Sequence, residues 1–188
     1  ALYRAAGLRC AWHDVDLGDA EQVVACIADA TIAFTDVPDA EPVVTLDGVD
    51  VSTEIRSEAA GATASQVAAL PAVRMALTDL QRAQRRPPGL VADGRDMGTV
   101  IFPDAALKIF LEASVEERAR RRYKQLKEKG FEANMEGLLR EIAERDRRDR
   151  TRATAPLVPA SDAITVDSTG MGIDAVVTVV LEQASLRY

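Results

Sequence analysis

Apolar residues along this chain recur at two different spacings, and the change of spacing divides it. Residues 1–12 read as a helix. Asp19 reads as the N-cap of a second one, with Val23, Val24, Ile27 and Ala28 at helical spacing behind it. The period then shortens. Residues 31–34 and 43–46 read as short strands, Asp47-Gly48 is a hairpin turn signal, and residues 49–51 return the chain. A small antiparallel sheet inside a helical context predicts an inserted subdomain over residues 31–61. Helical spacing resumes at Ser52, where Ser52-Thr53-Glu54-Ile55 is a loose capping pattern. An alanine-rich helical stretch covers 58–70, and Pro71 opens a helix that runs to about Arg86 before Pro87-Pro88-Gly89 stops it.

Beyond that stop, strand and helix signals alternate. Residues 90–93 and 107–111 read as strands of the buried type. Ser114 caps a helix with Glu116 and Glu117 in its first turn, which runs to Lys129 and ends at Gly130. The next helix begins near Asn134 and sets Met135, Leu138, Leu139 and Ile142 in one apolar stripe. Residues 163–166 predict a strand and 173–184 a closing helix. Such alternation predicts a three-layer α/β/α architecture around a parallel sheet.

Composition narrows the function. At 188 residues the chain suits one domain with a full core, and no run approaches a membrane span. His13 is the sole histidine, which excludes histidine triads and histidine-based zinc sites. Cys10 and Cys26 lack metal-ligand spacing and read as a reduced pair in a cytoplasmic protein. The net charge is −7, yet residues 114–152 hold 13 Lys plus Arg against 9 Asp plus Glu. One arginine-dense segment in an acidic chain suits a compact anionic ligand better than a long nucleic-acid duplex.

The candidate chemistry lies in two stretches. Gly94-Arg95-Asp96-Met97-Gly98-Thr99 follows the apolar run 90–92, and the carboxyl end of a parallel strand is where open α/β sheets bind ligands. An Arg fork suits phosphate, and an Asp accepts from an amine or a hydroxyl. Downstream, Arg145, Arg148, Asp149 and Arg152 fall on one helical face, and the preceding helix carries Arg118, Arg121 and Arg122. Two arginine faces joined at Gly130 make a mobile clamp for polyphosphate; alternatively these arginines pair with Glu116, Glu117, Glu141 and Glu144. Phosphoryl transfer, which needs positioning and cations more than covalent help, fits this inventory.

These motifs resemble the bacterial cytidylate kinases, which are P-loop nucleoside monophosphate kinases with an enlarged acceptor-binding insertion. The similarity covers the whole chain. It rests on Ala1-Leu2-Tyr3-Arg4, on 51–56, on Ala64-Ser65-Gln66-Val67-Ala68 with 71–74, and on 94–103. It continues through 108–111, Glu116-Glu117-Arg118-Ala119, 144–152 and Ala155-Pro156-Leu157. The resemblance implies ATP as phosphate donor, Mg²⁺ bound through the ATP phosphates, CMP and dCMP as acceptors, and a monomer that binds neither nucleic acid nor membrane. It implies that Arg4, Arg95 and Arg152 hold the acceptor phosphate. Ser65, Arg74 and Asp96 would read the cytosine edge, with Asp96 on the exocyclic amine. Asp149 would bind the sugar hydroxyls, and Tyr3 would pack beside the nucleotide. Arg118, Arg121, Arg122 and Arg145 would belong to a lid over ATP spanning 118–152. In catalytic terms the expected set is Arg121, Arg145 and Arg152.

The sequence contains no G-x-x-x-x-G-K-[ST] phosphate loop. The resemblance therefore implies that the kinase domain, 1–188, is incomplete at its start by roughly 35 residues, and that these residues alone are inactive. Rival expectations are a related small P-loop kinase with another acceptor, or a non-catalytic arginine-rich module that binds RNA.

Overall fold

The computed structural model describes residues 1–35, 37, 41–128 and 130–187. The chain divides into two compact units: residues 1–91 with 152–154, and residues 92–151 with 155–187 of the described chain.

In the first unit, α1 (Leu2–Trp12) and α2 (Ala20–Ile27) come first. Asp19 caps α2, its carboxylate accepting from the amides of Glu21 and Gln22, as its position predicts. An antiparallel sheet follows, built from β1 (Ile32–Thr35), β2 (Val43–Leu46) and β3 (Val49–Asp50) in that order. Its register pairs Ile32 with Leu46 and Leu46 with Val49. Asp47 and Gly48 both take positive φ, at 50° and 82°, which is the two-residue hairpin turn that Asp-Gly favours. The Asp47 carboxylate also accepts from the Thr31 amide at 2.9 Å and from Arg9 Nε at 2.7 Å. These hydrogen bonds hold that carboxyl below its ordinary titration range, the Thr31 amide contributing most.

A 3₁₀ turn (Glu54–Arg56), α3 (Glu58–Val67) and α4 (Pro71–Arg82) complete the unit. Two boundaries differ from expectation. The cap that starts α3 is Ser57, whose hydroxyl accepts from the Ala60 amide; Ser52 instead accepts from the Val44 amide and serves the sheet. Pro71 does open α4, which ends four residues before Arg86 at Arg82. The core of the unit gathers Ala6, Cys10, Val23, Ile27, Val67, Val73 and Leu77 from all four helices. A second cluster of Val44, Leu46, Val51 and Ile55 sits under the hairpin. Both cysteines are free thiols, and burial beside Cys26 pushes the Cys10 thiol up to about 12.

The second unit holds a π-helical turn (Met97–Ile101), β4 (Ile109–Glu112), α5 (Val115–Glu128), α6 (Met135–Thr151), β5 (Ile164–Asp167) and α7 (Ile173–Ser185). β4 and β5 run parallel with Ile109 opposite Ile164, so the predicted parallel pairing is present. The expected strand at 90–93 is not. Residues 90–93 form no ladder, and Val91 is fully exposed. An apolar run becomes a strand only where a neighbour takes up its backbone N–H and C=O groups, and no described strand lies against it. The Ser114 hydroxyl accepts from the Glu117 amide at 3.1 Å, capping α5 as expected. The end of α5 at Lys129 falls outside the described residues; Gly130 takes φ 79°, with the Phe131 amide donating back to the Leu126 carbonyl, which is how a glycine closes a helix. Asn134 caps α6 through the Glu136 amide. α7 forms where predicted, yet none of its residues is buried.

Candidate functional site

The Gly94-Arg95-Asp96 motif opens into a π-helical turn, not a plain loop after a strand. The amides of Ile101 and Phe102 reach back five residues to the carbonyls of Asp96 and Met97 at 3.3 and 2.7 Å. Wide turns of this kind are frequent at functional sites. Here the turn leaves Asp96 only 3% exposed while its backbone, not its carboxylate, makes the turn's bonds.

Arg95 in the same segment reaches α6. Its Nε lies 3.2 Å from Asp149 Oδ2, and Arg145 Nε lies 3.9 Å from the same oxygen. Asp149 is 2% exposed. A buried carboxylate held between two guanidinium groups keeps those cations from repelling one another in the absence of an anion. The Asp149 carbonyl also accepts from the Leu157 amide at 2.8 Å, tying the end of α6 to the Pro156-Leu157 segment. Thus the structure brings together Arg95, Arg145 and Asp149, three of the residues the sequence singles out.

Arg118, Arg121 and Arg122 of this unit are engaged with protein partners. Arg118 grips Asp146 of α6 with both terminal nitrogens, Nη1 to Oδ1 at 2.8 Å and Nη2 to Oδ2, and its Nε donates to the Ala113 carbonyl at 3.1 Å. Burial works against ionisation of Asp146, but the Arg118 hydrogen bonds and charge outweigh it and hold the carboxyl below its ordinary range. Arg121 binds Glu117, the Ser168 hydroxyl and the carbonyls of Ser168 and Met171. Glu117 is shared with Arg120, and these pairs lower its carboxyl below the usual range. Arg122 donates to Gln125 Oε1 at 2.6 Å. Glu144 pairs with Arg147 and Arg148. The alternative reading, arginines matched by Glu117 and Glu144, therefore accounts for part of the set.

In the first unit, α3 and α4 present Ser65 and Arg74, 4% and 5% exposed. Arg74 donates to the Ala68 carbonyl at 3.1 Å, and its guanidinium lies 5.5 Å from the centroid of the Tyr3 ring on α1. A charged group this deeply buried persists only when it is paired or hydrogen-bonded. Arg4 Nη1 donates to the Ile55 and Ser57 carbonyls at 2.6 and 3.1 Å. Arg152 follows α6, is partly buried and belongs to this unit. A cavity of about 400 Å³ lined by Arg9, His13, Gln22, Cys26 and Asp29 also opens here. Its Arg9 is already matched by Asp29, Asp47 and the Cys26 carbonyl, so the cavity has no unmatched cation to offer an anion.

Sequence reasoning missed two features. One is the π-helical turn, which no propensity encodes. The other is Asp146, whose signal was present: it stands three residues before Asp149 on the same face. No group of three or more His, Cys, Asp or Glu residues able to hold a metal ion occurs among the described residues.

A parallel strand pair among helices, with a buried carboxylate facing two arginines, is a setting whose chemistry suits a small anionic ligand. The comparisons narrow that reading. The profile of the cytidylate kinase family matches residues 1–186. The cytidylate kinase of Aeromonas hydrophila is 56% identical over 185 residues, covering 98% of this chain and 80% of that protein. Those of Yersinia enterocolitica and Serratia proteamaculans are 55% and 56% identical over 184 and 188 residues, each across 80% of the relative. The chain belongs to the cytidylate kinase family, and with it to the P-loop nucleoside monophosphate kinase fold.

Proposed function

We propose that this protein transfers the γ-phosphoryl group of ATP to CMP and dCMP, giving CDP or dCDP and ADP. The observation that carries the reading is the buried Asp149 flanked by Arg95 and Arg145, in a chain whose family profile is that of cytidylate kinases. A phosphate oxygen of the acceptor attacks the γ-phosphorus as the bond to the β-phosphate bridging oxygen breaks, and ADP leaves. The transition state spreads negative charge over the transferred oxygens, so fixed cations lower its energy more than that of the ground state.

The residues of this chain divide that work by chemistry. In the first unit, Arg4 and Arg152 serve the acceptor phosphate, Ser65 and Arg74 serve the base, and Tyr3 supplies an aromatic face. In the second, Arg95 serves the acceptor phosphate, Asp96 accepts from the cytosine exocyclic amine, and Asp149 accepts from the sugar hydroxyls. Arg118, Arg121, Arg122 and Arg145 make up the arginine set of the lid, residues 118–152, that serves the donor phosphates; Arg121, Arg145 and Arg152 act on the moving charge. Residues 31–61, with their three-stranded sheet, form the acceptor-side insertion, and the parallel β4–β5 pair belongs to a three-layer α/β/α core. The protein acts as a monomer in the cytoplasm. No helix among the described residues is long and apolar enough to cross a membrane.

The carboxylates here do not fit a protein-built metal cage. Mg²⁺ suits sites where substrate phosphates supply most of the ligands, and when bound to ATP it would neutralise charge on the transferred group.

A coupled kinase assay on the full-length protein with CMP, dCMP, UMP and AMP tests the proposal. CMP and dCMP should be preferred over AMP by at least tenfold in kcat/KM. Preference for AMP would reject the base assignment.

A further inference from the structure

The ion pairs on α5 and α6 are of two kinds. Arg120–Glu117 and Arg147–Glu144 lie within single helices, with arginine side chains 64% and 68% exposed, and pairs of that type contribute little. Arg118–Asp146 spans the two helices, 28 residues apart in sequence, with side chains 30% and 12% exposed. All three nitrogens of the guanidinium are used, two on Asp146 and one on the Ala113 carbonyl just before α5. Asp146 is also adjacent in sequence to Arg145 and one helical turn from Asp149, the residues that face Arg95.

We propose that Asp146 is a positioning residue for the transfer: by taking both terminal nitrogens of Arg118 it docks α6 on α5 and fixes the turn that presents Arg145 and Asp149 to Arg95. Its second effect is to keep Arg118 occupied. Arg118 is then matched by Asp146, while Asp149 faces Arg95 and Arg145. Without Asp146 the Arg118 guanidinium would lose its carboxylate on α6, and the rotational setting of α6 would be lost. Within the lid set, Arg118 then serves the donor phosphates through its hold on α6. This inference rests on the kinase reading above, since it assigns Asp146 a part in the same site.

The experiment uses the full-length protein with Asp146→Asn, Asp149→Asn, the double variant, Arg118→Lys, and the charge swap Arg118→Asp with Asp146→Arg. Steady-state kinetics with CMP and dCMP, and hydrogen exchange of residues 135–151, are read together. Asp146→Asn should lower kcat/KM for CMP by about 10- to 100-fold, the loss expected when reacting groups shift by roughly an ångström. The double variant should fall no more than about twofold below Asp149→Asn, because one effect runs through the other. Hydrogen exchange should rise over 145–151, and the swap should recover at least tenfold over either of its single changes. Arg118→Lys, which keeps the cation and loses the second prong, carries the same comparison should Asp146→Asn not fold.

The proposal is overturned if Asp146→Asn lowers the melting temperature while kcat/KM stays within twofold, or if the two Asp variants multiply fully. If the unmodified protein prefers another acceptor, the cytidylate reading fails by itself, and the same cycle run on that acceptor still decides the role of Asp146.

Discussion

Replacing Asp96 tests the base-reading role proposed for it. The residue is 3% exposed, so any hydrogen bond its carboxylate accepts from a bound base is formed away from competing water. A hydrogen bond to a charged group in such a place contributes about 1.5–3 kcal/mol, which is roughly 12- to 150-fold in affinity. The π-helical turn should survive the change. Its bonds from the amides of Val100 and Ile101 run to the Asp96 carbonyl, at 2.9 and 3.3 Å, and the side chain makes no cap hydrogen bond. Asp96→Asn is therefore expected to weaken CMP binding by one to two orders of magnitude while ATP affinity stays within about twofold. The CMP-to-UMP ratio of kcat/KM should also fall at least tenfold, because an Asn amide can donate to the uracil O4 that a carboxylate repels. Calorimetry with CMP and ATP, and kinetics with both pyrimidine acceptors, read these quantities directly. Equal losses for CMP, UMP and ATP would refute the reasoning, since they would mean that Asp96 supports the fold and does not read the base.

The remaining predictions concern what holds each unit. Leu46 is fully buried in the small cluster under the hairpin, so Leu46→Ala should cost about 2–5 kcal/mol, seen as a lowered denaturant midpoint. A Cβ placed on Gly7 would stand 2.8 Å from Thr63 Oγ1 and 3.0 Å from Thr63 Cβ. Gly7→Ala gains about 1 kcal/mol in helix propensity and loses about 1–3 kcal/mol to overpacking, so the melting temperature should drop; a rise would show that α1 and α3 have room to part. The depressed carboxyl of Asp146 stabilises the fold while it is ionised. That contribution is full above the ordinary aspartate value near 3.9 and is lost as pH falls through the lower folded-state value. Chemical denaturation at a series of pH values should show Asp146→Asn with a shallower acid loss than the parent, and identical slopes would exclude the linkage.

Legibility in the sequence followed the range of the forces involved. The Asp19 cap, the Asp47-Gly48 turn, Pro71 at the start of α4, Ser114 at the start of α5 and Gly130 beyond it are all settled within a few residues of chain. Each was readable because steric limits and backbone hydrogen-bond needs act at that distance. The parallel pairing of β4 with β5 was inferable from alternation, and the arginine faces from helical spacing alone. The run 90–93 was misread because a strand exists only through its neighbours, and apolar content says nothing of whether a neighbour is there.

By itself, then, the sequence determined which local elements could form, that the chain would carry an acidic body with one arginine-dense segment, and which residue types could meet a nucleotide. Only the tertiary structure decided how the arginines were distributed. It gave Arg118 to Asp146, Arg121 to Glu117 and the Ser168 and Met171 carbonyls, and Arg95 with Arg145 to Asp149. The reason is that a guanidinium group is indifferent to which carboxylate neutralises it. Partner choice is made by burial and distance between segments tens of residues apart, quantities that no spacing along the chain expresses.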